Sequence, residues 1–507
     1  MTASGATADA MERLPLRHDD LLQQQQQHHR LHSRLPLPRT LGVVVMLALA
    51  AALVFRHSIA PQASSTPVSA SSSLSSPSSS LSPASADAIA ALDRLFRAYE
   101  AQNFTASVRV STNRDSLFAR AVGLASEELL VPLAVDTVFP IGSNSKLFVS
   151  VALYQLQERG RVNLSHAVND YLEQSDFASF GFPNQTHWCP RLASAPPDSP
   201  CEAVTFVDLL NMGSGIGDEL NCDNVAPQYC RRSASDLAVY HGLIGAYVGS
   251  FINDPLVFAP GSNYSYSNMN FVLLSYMVEK LSDQALEVYL REHIFDKLGL
   301  ADTYYDPYAG LLGVHRGYAH QYVNYRVGTV DDTGKGTSTE FLATGTCSPY
   351  MNSGAISGAG GLHSTTADMN KWYSDLFHDS GRGSKVLSVD SIRAIVRRRN
   401  VVSRTYAQGV AVFFAEGSED WPSQLAYCGG TKCAFTCMRM HILAPEMSVV
   451  ASAFTNHADL YFASRADFAA WRPTEFMFME HDGPVGEAVP VNGLVREAVE
   501  VVVKLET

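Results

Sequence analysis

The chain has 507 residues, 46% of them hydrophobic, with a formal net charge of −13. That is enough apolar chain for a large packed core, which excludes a minimal, cross-link-dependent scaffold. The acidic excess is scattered, so it argues for solubility and against a nucleic-acid partner.

Residues 1–39 carry a Gln/His tract, LLQQQQQHHRLHSR, with no core-forming periodicity, and read as a low-complexity segment. Thr40 to Phe55 is an uncharged apolar run bracketed by Arg39 and Arg56. It is shorter than the roughly 20 residues of a typical bilayer span, but both arginines can snorkel. A cleaved signal peptide has a shorter basic region in front of it, and a mitochondrial presequence lacks acids such as Asp9, Glu12, Asp19 and Asp20. A transmembrane signal anchor over residues 40–57 fits best. Arg30, Arg34 and Arg39 precede the run and Arg56 alone closely follows it, which puts the N-terminus in the cytosol. The expectation is a single-pass type II membrane protein with its bulk outside the cell or in a lumen of the secretory pathway. Residues 58–88 are a Ser/Pro-rich linker.

Residues 89–507 have globular composition and no internal repeat. Asp87 to Gln102 has helical spacing, and Ser107 to Ala125 reads as two strands around a polar turn. Ser145 to Gly160 is apolar nearly all round, the pattern of a central buried helix, and Gly160 is a helix stop. Asn270 to Asp283 is a further helix. FTCMRMHILA and SVVASAFTN flank Pro445–Glu446 as an antiparallel hairpin. Strands at both ends with helices between predict an α+β domain: one antiparallel sheet built from both ends of the domain, flanked by helices, with a mostly helical insert.

Four Asn-x-Ser/Thr sequons, at Asn103, Asn163, Asn184 and Asn263, agree with export. All eight cysteines lie beyond residue 188, and an even count in an oxidising compartment points to disulfides. Cys189 with Cys201 and Cys222 with Cys230 are local pairs by spacing. Connectivity does not follow from sequence. No CxxC pair has zinc spacing, and neither a metal nor an organic cofactor is expected.

Ser143 and Lys146 open the apolar helix at positions i and i+3, neighbours on one face. A helix N-terminus stabilises developing negative charge, and burial depresses a lysine pKa until the amine can serve as a base for a serine. A lysine in the first turn of a buried helix needs such a reason. A second element, Tyr266-Ser267-Asn268, stands just before another helix; a tyrosine near a lysine can share its proton, and an amide can orient the lysine or a substrate carbonyl. Tyr322-Val323-Asn324 has the same spacing but no preceding Pro-Gly turn and no following helix, and is set aside.

With these motifs the chain resembles the β-lactamase-related serine hydrolases: class C β-lactamases, D,D-peptidases, related esterases and their eukaryotic relatives. Ser143-x-x-Lys146 matches the family's first motif and Tyr266-x-Asn268 its second. VDTVFPIGSNSK, TFVDLLNMGSGI, FAPGSNYSYSN, KLGLADT and GAGGLHSTTADMNKW follow in family order between about residues 95 and 456. The third motif departs: where the family shows Lys-Thr-Gly or His-x-Gly on an edge strand, this chain has Tyr427-Cys428-Gly429, followed by Gly430. A basic residue there would pair with a substrate carboxylate, which Tyr427 cannot do; Lys432 or Arg439 are the nearby cations.

The resemblance implies an acyl-enzyme mechanism. Ser143 attacks an acyl carbonyl after releasing its proton to Lys146 and Tyr266, and the oxyanion forms against the N–H groups of Ser143 and Gly430. Asn268 orients the acyl group, with Tyr427 and Gly429 lining the site. It implies an ester or amide substrate, peptide or small molecule; the Tyr427 departure adds the expectation of weak β-lactamase activity and a bias toward substrates without a carboxylate at that spot. The chemistry expected is class C-like, with no glutamate motif for the deacylating water. Cys428 is either a redox-sensitive thiol near the site or a disulfide partner of Cys347, Cys433 or Cys437. The alternatives are an inactive binding or filament-forming relative, or a peptidase of the same fold. The segments 189–230 and 322–347 read as insertions able to roof the cleft. The oligomeric state is not legible.

Overall fold

The computed structural model describes the chain from Pro83 onward, apart from residues 102–103, 114, 221–242, 306, 308–318, 331–335, 347–354, 379–382, 398–401, 404, 419, 432, 445–446, 463–464, 466–484, 489 and 507. The expected anchor at 40–57, the sequon at Asn103, the Cys222–Cys230 pair and Lys432 therefore lie outside the described residues.

In chain order, helix α1 (Pro83–Glu100) leads into the hairpin β1 (Ala106–Thr112) and β2 (Ser116–Val122). Helices α2 (Ser145–Glu158), α3 (Phe206–Leu210) and α4 (Asn268–Ser282) follow, then strands β3 (Tyr322–Val330) and β4 (Gly336–Thr346). After helix α5 (Thr366–Phe377) come β5 (Tyr406–Ala407), β6 (Val410–Phe413), β7 (Gln424–Gly430), β8 (Phe435–Ala444), β9 (Met447–Thr455), β10 (His457–Phe462), β11 (Val485–Ala488) and helix α6 (Pro490–Glu506). Helix α1 starts inside the segment expected to be linker; proline is tolerated in a first helical turn because its missing N–H has no partner there.

The main sheet has the order β5-β6-β7-β8-β9-β1-β2, antiparallel at each pairing. Strand β9 pairs with β1 from Ser107↔Phe454 to Thr112↔Val449, so both ends of the domain meet in one sheet, as expected. The predicted hairpin is β8–β9, closing at Ala444↔Met447. Side chains alternate across these strands. Val108, Val110, Val449 and Ala451 join Leu92, Phe96, Val495 and Val499 of α1 and α6 in one apolar layer. Val450, Phe454, Met438 and Met440 face the helical half on the other side. A second sheet, β11-β10-β3-β4, was not expected: within the segment read as an insertion, residues 322–330 and 336–346 are strands, with β3 parallel to β10.

Helix α2 is buried from Ser145 to Leu156, as its uninterrupted apolar pattern predicts. Phe148 stacks on Trp372 of α5 at 4.2 Å, and α4 packs along α2. Helix α3 opens with a capping box in which Thr205 and Asp208 exchange hydrogen bonds with each other's backbone N–H groups.

Candidate active site

Ser143 lies in the single 3₁₀ turn Gly142–Asn144 that feeds α2, and Lys146 lies in the first turn of α2. Tyr266 and Asn268 flank the extended residue Ser267 at the start of α4. Packing α4 against α2 brings the two motifs together. Ser143 Oγ is 2.6 Å from the Tyr266 hydroxyl. Lys146 Nζ donates to Ser143 Oγ at 3.1 Å, to Asn268 Oδ1 at 2.8 Å and to the Ala359 carbonyl at 2.5 Å. The amine also lies 4.9 Å from the Tyr266 ring centre.

Lys146 is fully buried, and burial pulls its pKa down to about 7, against an opposing pull from Asp218. The amine is thus poised between its two states near neutrality. Burial moves Tyr266 the other way, well above the phenol range, with the Ser143 hydrogen bond only partly opposing it. Tyr266 therefore holds its proton across the range in which Lys146 changes charge.

Strand β7 ends beside Ser143, and glycine is what permits the approach. A β-carbon on Gly429 would lie 2.0 Å from the Ile141 carbonyl oxygen and 2.8 Å from the Ser143 nitrogen. Gly142, at φ +50°, faces the Gly430 backbone; a β-carbon there would lie 2.8 Å from the Gly430 nitrogen. Asn144 Nδ2 donates to the Thr436 carbonyl at 2.8 Å, and Thr436 Oγ1 donates to the Ile141 carbonyl at 3.0 Å, which clamps the serine turn onto β8. The main-chain groups of Ser143 and Gly430 are thereby brought into one small volume, the arrangement an oxyanion needs.

Tyr427, on the cleft side of β7, sets its phenol beside that of Tyr266. Its ring is 6.2 Å from Tyr406, which is 5.9 Å from Tyr264, so Tyr427 stands in an aromatic wall, at the position where the sequence departs from a basic third motif. Arg439 does not compensate. It lies on the face of β8 turned toward α6, near Arg496 and Glu500, and bonds Gln424. Cys428 also faces away from the cleft, since its neighbour Tyr427 faces into it. It forms a disulfide with Cys437, directly opposite on β8, on the side of α1 and α6. The redox-sensitive thiol reading is thus corrected. Cys189–Cys201 is bonded as expected, Cys433 is also in a disulfide, and no described cysteine is free. His187 lies beside Cys189 and Cys201, but both sulfurs are committed to each other.

The expected site residues Ser143, Lys146, Tyr266, Asn268, Tyr427, Gly429 and Gly430 all meet here. The sequons at Asn163, Asn184 and Asn263 are exposed. Tyr322 is elsewhere, hydrogen-bonded to Glu128 and stacked on His457 at 5.0 Å. Two contributors were not anticipated: the Ala359 carbonyl and the Asp218 carboxylate. Asp218 accepts from Asn268 Nδ2 at 3.0 Å. The GAGGLHST match marked the first stretch without a role; nothing in the sequence marked Asp218.

A family model described as Beta-lactamase matches residues 92–468. The chain belongs to the beta-lactamase family. Among relatives of this beta-lactamase-family chain is a protein of Escherichia coli O157:H7 named "Putative D-alanyl-D-alanine carboxypeptidase", 24% identical over 274 residues, 52% of this chain and 56% of that one. A protein of the same name from Salmonella schwarzengrund is 22% identical over 278 residues, 54% of this chain and 59% of that one. The chain thus spans a little over half the length of these relatives. Among solved structures, EstCE1, described as a hydrolase with promiscuous acyltransferase activity, matches at TM-score 0.53 and 18% identity, over 74% of this chain and 95% of that one. A D-amino acid amidase from Ochrobactrum anthropi SV3 matches at TM-score 0.50 and 16% identity, over 82% and 99%. These two likenesses bear on the beta-lactamase fold.

Proposed function

We propose that the chain is a serine hydrolase working through an acyl-enzyme on Ser143, with class C-like chemistry and a preference for neutral esters or amides. The observation that carries this is the unbroken hydrogen-bond path Tyr266–Ser143–Lys146–Asn268 around a buried amine with a pKa of about 7. With substrate bound, neutral Lys146 takes the Ser143 proton as Oγ bonds to the acyl carbon. The resulting oxyanion sits against the N–H groups of Ser143 and Gly430. When the intermediate collapses, the bond to the leaving alcohol or amine breaks and the leaving atom takes a proton delivered through the Tyr266 phenol. Water then follows the same path in reverse, giving the acid and restoring Ser143.

The substrate preference rests on Tyr427. A carboxylate beside the reacting carbonyl would face a half-buried, uncharged phenol and an aromatic wall, with Arg439 on the opposite face of the sheet. Weak β-lactamase and carboxypeptidase activities follow, since both take carboxylate-bearing substrates. The full chain incubated with a fluorophosphonate probe and short-chain nitrophenyl esters, beside Ser143→Ala, tests the proposal. Labelling and turnover lost in the variant are expected. A folded wild-type protein that neither labels nor turns over would overturn it and favour a binding or filament-forming role.

We propose also that residues 40–57 anchor the chain and that the catalytic domain is lumenal or extracellular. The sequence pattern supports this, as do the disulfides Cys189–Cys201 and Cys428–Cys437 and the exposed sequons at Asn163, Asn184 and Asn263. A glycosidase-sensitive mass shift in membranes from expressing cells is expected. An unglycosylated chain with reduced thiols in the soluble fraction would refute it.

A further inference from the structure

We propose that Asp218 is a positioning residue for the nucleophile: its buried carboxylate grips Asn268 by the amide nitrogen and so turns the amide oxygen onto Lys146. The inference rests on the hydrolase reading above. Asp218 belongs to the loop after α3, which is laced onto the chain leading into α4. Val257 N donates to the Gly215 carbonyl at 2.8 Å, Gly261 N to Gly213 at 2.8 Å, Ser265 N to Met212 at 3.1 Å, and Ser267 Oγ to Gly217 at 3.1 Å. This lacing leaves Asp218 3% exposed and behind Asn268.

The two ends of the Asn268 amide then have fixed partners. Nδ2 meets a carboxylate oxygen, which only accepts, at 3.0 Å, and Oδ1 meets Lys146 Nζ, which donates, at 2.8 Å. Rotating the amide by half a turn would set donor against donor and acceptor against acceptor. Asp218 is the group that forbids that rotation. Its other oxygen accepts from the Leu220 N–H at 3.1 Å, so both oxygens are held as acceptors. An asparagine at 218 has one acceptor oxygen for these two donors.

The arrangement has a second effect during turnover. When Lys146 takes the Ser143 proton, a positive charge appears in a buried site, and Asp218 supplies the compensating negative charge through one intervening amide. Among the described residues, the other titratable groups close to Lys146 are phenols: Tyr266 against it, with Tyr264, Tyr406 and Tyr427 behind. Glu219, next in the chain, receives the Ser250 hydroxyl at 3.0 Å. Asp218 is the carboxylate whose charge acts on Lys146.

The test is a double-mutant cycle on the full chain with Asp218→Ala, Asn268→Ala and the pair, reading fluorophosphonate labelling rate, ester kcat over a pH series and thermal midpoint. Asp218→Ala is expected to slow labelling by roughly ten- to a hundredfold, the scale of a hydrogen bond involving a charged group. It is expected to cost little more in the Asn268→Ala background, because it acts through that amide. The acidic limb of kcat should move to lower pH, since removing a nearby negative charge makes Lys146 easier to deprotonate. Asp218→Asn, nearly isosteric, repeats the measurement should the alanine variant not fold. Multiplicative losses in the cycle, or a lower thermal midpoint with an unmoved pH limb, would overturn the inference alone. An unlabelled wild type would instead overturn the hydrolase reading and this one with it.

Discussion

Replacing Gly429 with alanine perturbs the site through one methyl group. A β-carbon there would lie 2.0 Å from the Ile141 carbonyl oxygen, with the Ser143 and Asn144 nitrogens at 2.8 and 2.9 Å. Contacts under 3.0 Å do not persist, and all three atoms are main chain, so the end of β7 and the serine turn must separate by about 1 Å. That displacement falls on the spacing between the Ser143 and Gly430 nitrogens. A shift of this size, or loss of one oxyanion donor, typically costs on the order of a hundredfold in rate. Gly430→Ala is the control: its β-carbon would meet only the Phe435 ring edge, at 3.1 and 3.4 Å, which a small ring movement relieves. Ester kcat/KM and labelling rate should fall about a hundredfold for Gly429→Ala and only a few-fold for Gly430→Ala, with both variants folded by near-ultraviolet circular dichroism. Equal rates in the two variants, or a wild-type rate in Gly429→Ala, would refute the placement of the oxyanion beside β7.

Further outcomes are expected at Lys146, Tyr427 and the Cys428–Cys437 bridge. Ester kcat/KM should rise with pH through about 7, where Lys146 loses its proton, and Lys146→Arg should be inactive throughout because a guanidinium stays charged. The folded-state pKa lies below the usual lysine value of 10.5, so the unfolded chain binds this proton more tightly across the window from about 7 to 10.5. The Lys146 contribution to stability therefore grows as pH rises through that window, and the thermal midpoint of wild type should rise there relative to that of Lys146→Met. Tyr427→Lys should raise the ratio of turnover on a carboxylate-bearing substrate to that on a neutral ester by about tenfold or more, measured by paired assays. The double substitution Cys428→Ser, Cys437→Ser should lower stability by up to about 2–3 kcal/mol in denaturant melts while sparing Ser143 labelling, because the pair lies on the sheet face away from the cleft.

Much of this site was legible because its chemistry is local in sequence. Ser143 and Lys146 are one helical turn apart, and Tyr266 and Asn268 are two residues apart; each pair needed only its own helix to be placed. The all-round apolar pattern of α2 also marked Lys146 as buried. Alternation along β7 could have shown that Tyr427 and Cys428 point to opposite faces, which separates the aromatic wall from the disulfide. What was not legible depends on contacts between distant segments. Asp218 has no motif partner nearby, and its burial comes from the lacing of its loop onto residues 257–267. The second sheet escaped notice because β3 finds its partner in β10, which begins at His457. The start of α1 at Pro83 was hidden by the Ser/Pro composition that surrounds it.

The pairing of β1 with β9 sets a condition on biosynthesis. Residues 107–112 find their partners only at 449–454, and the strand that carries Gly430 is held through β8 to that same seam. A nascent chain therefore displays β1 with an open edge until the final hairpin has cleared the ribosome. Loop closure over such a span is slow, and an open, apolar strand edge invites pairing with other chains. Premature stop codons upstream of this seam should yield aggregates or degradation products rather than weakly active fragments. Assembly of the pocket around Ser143 is thus among the last events of folding, although Ser143 itself lies in the first third of the chain.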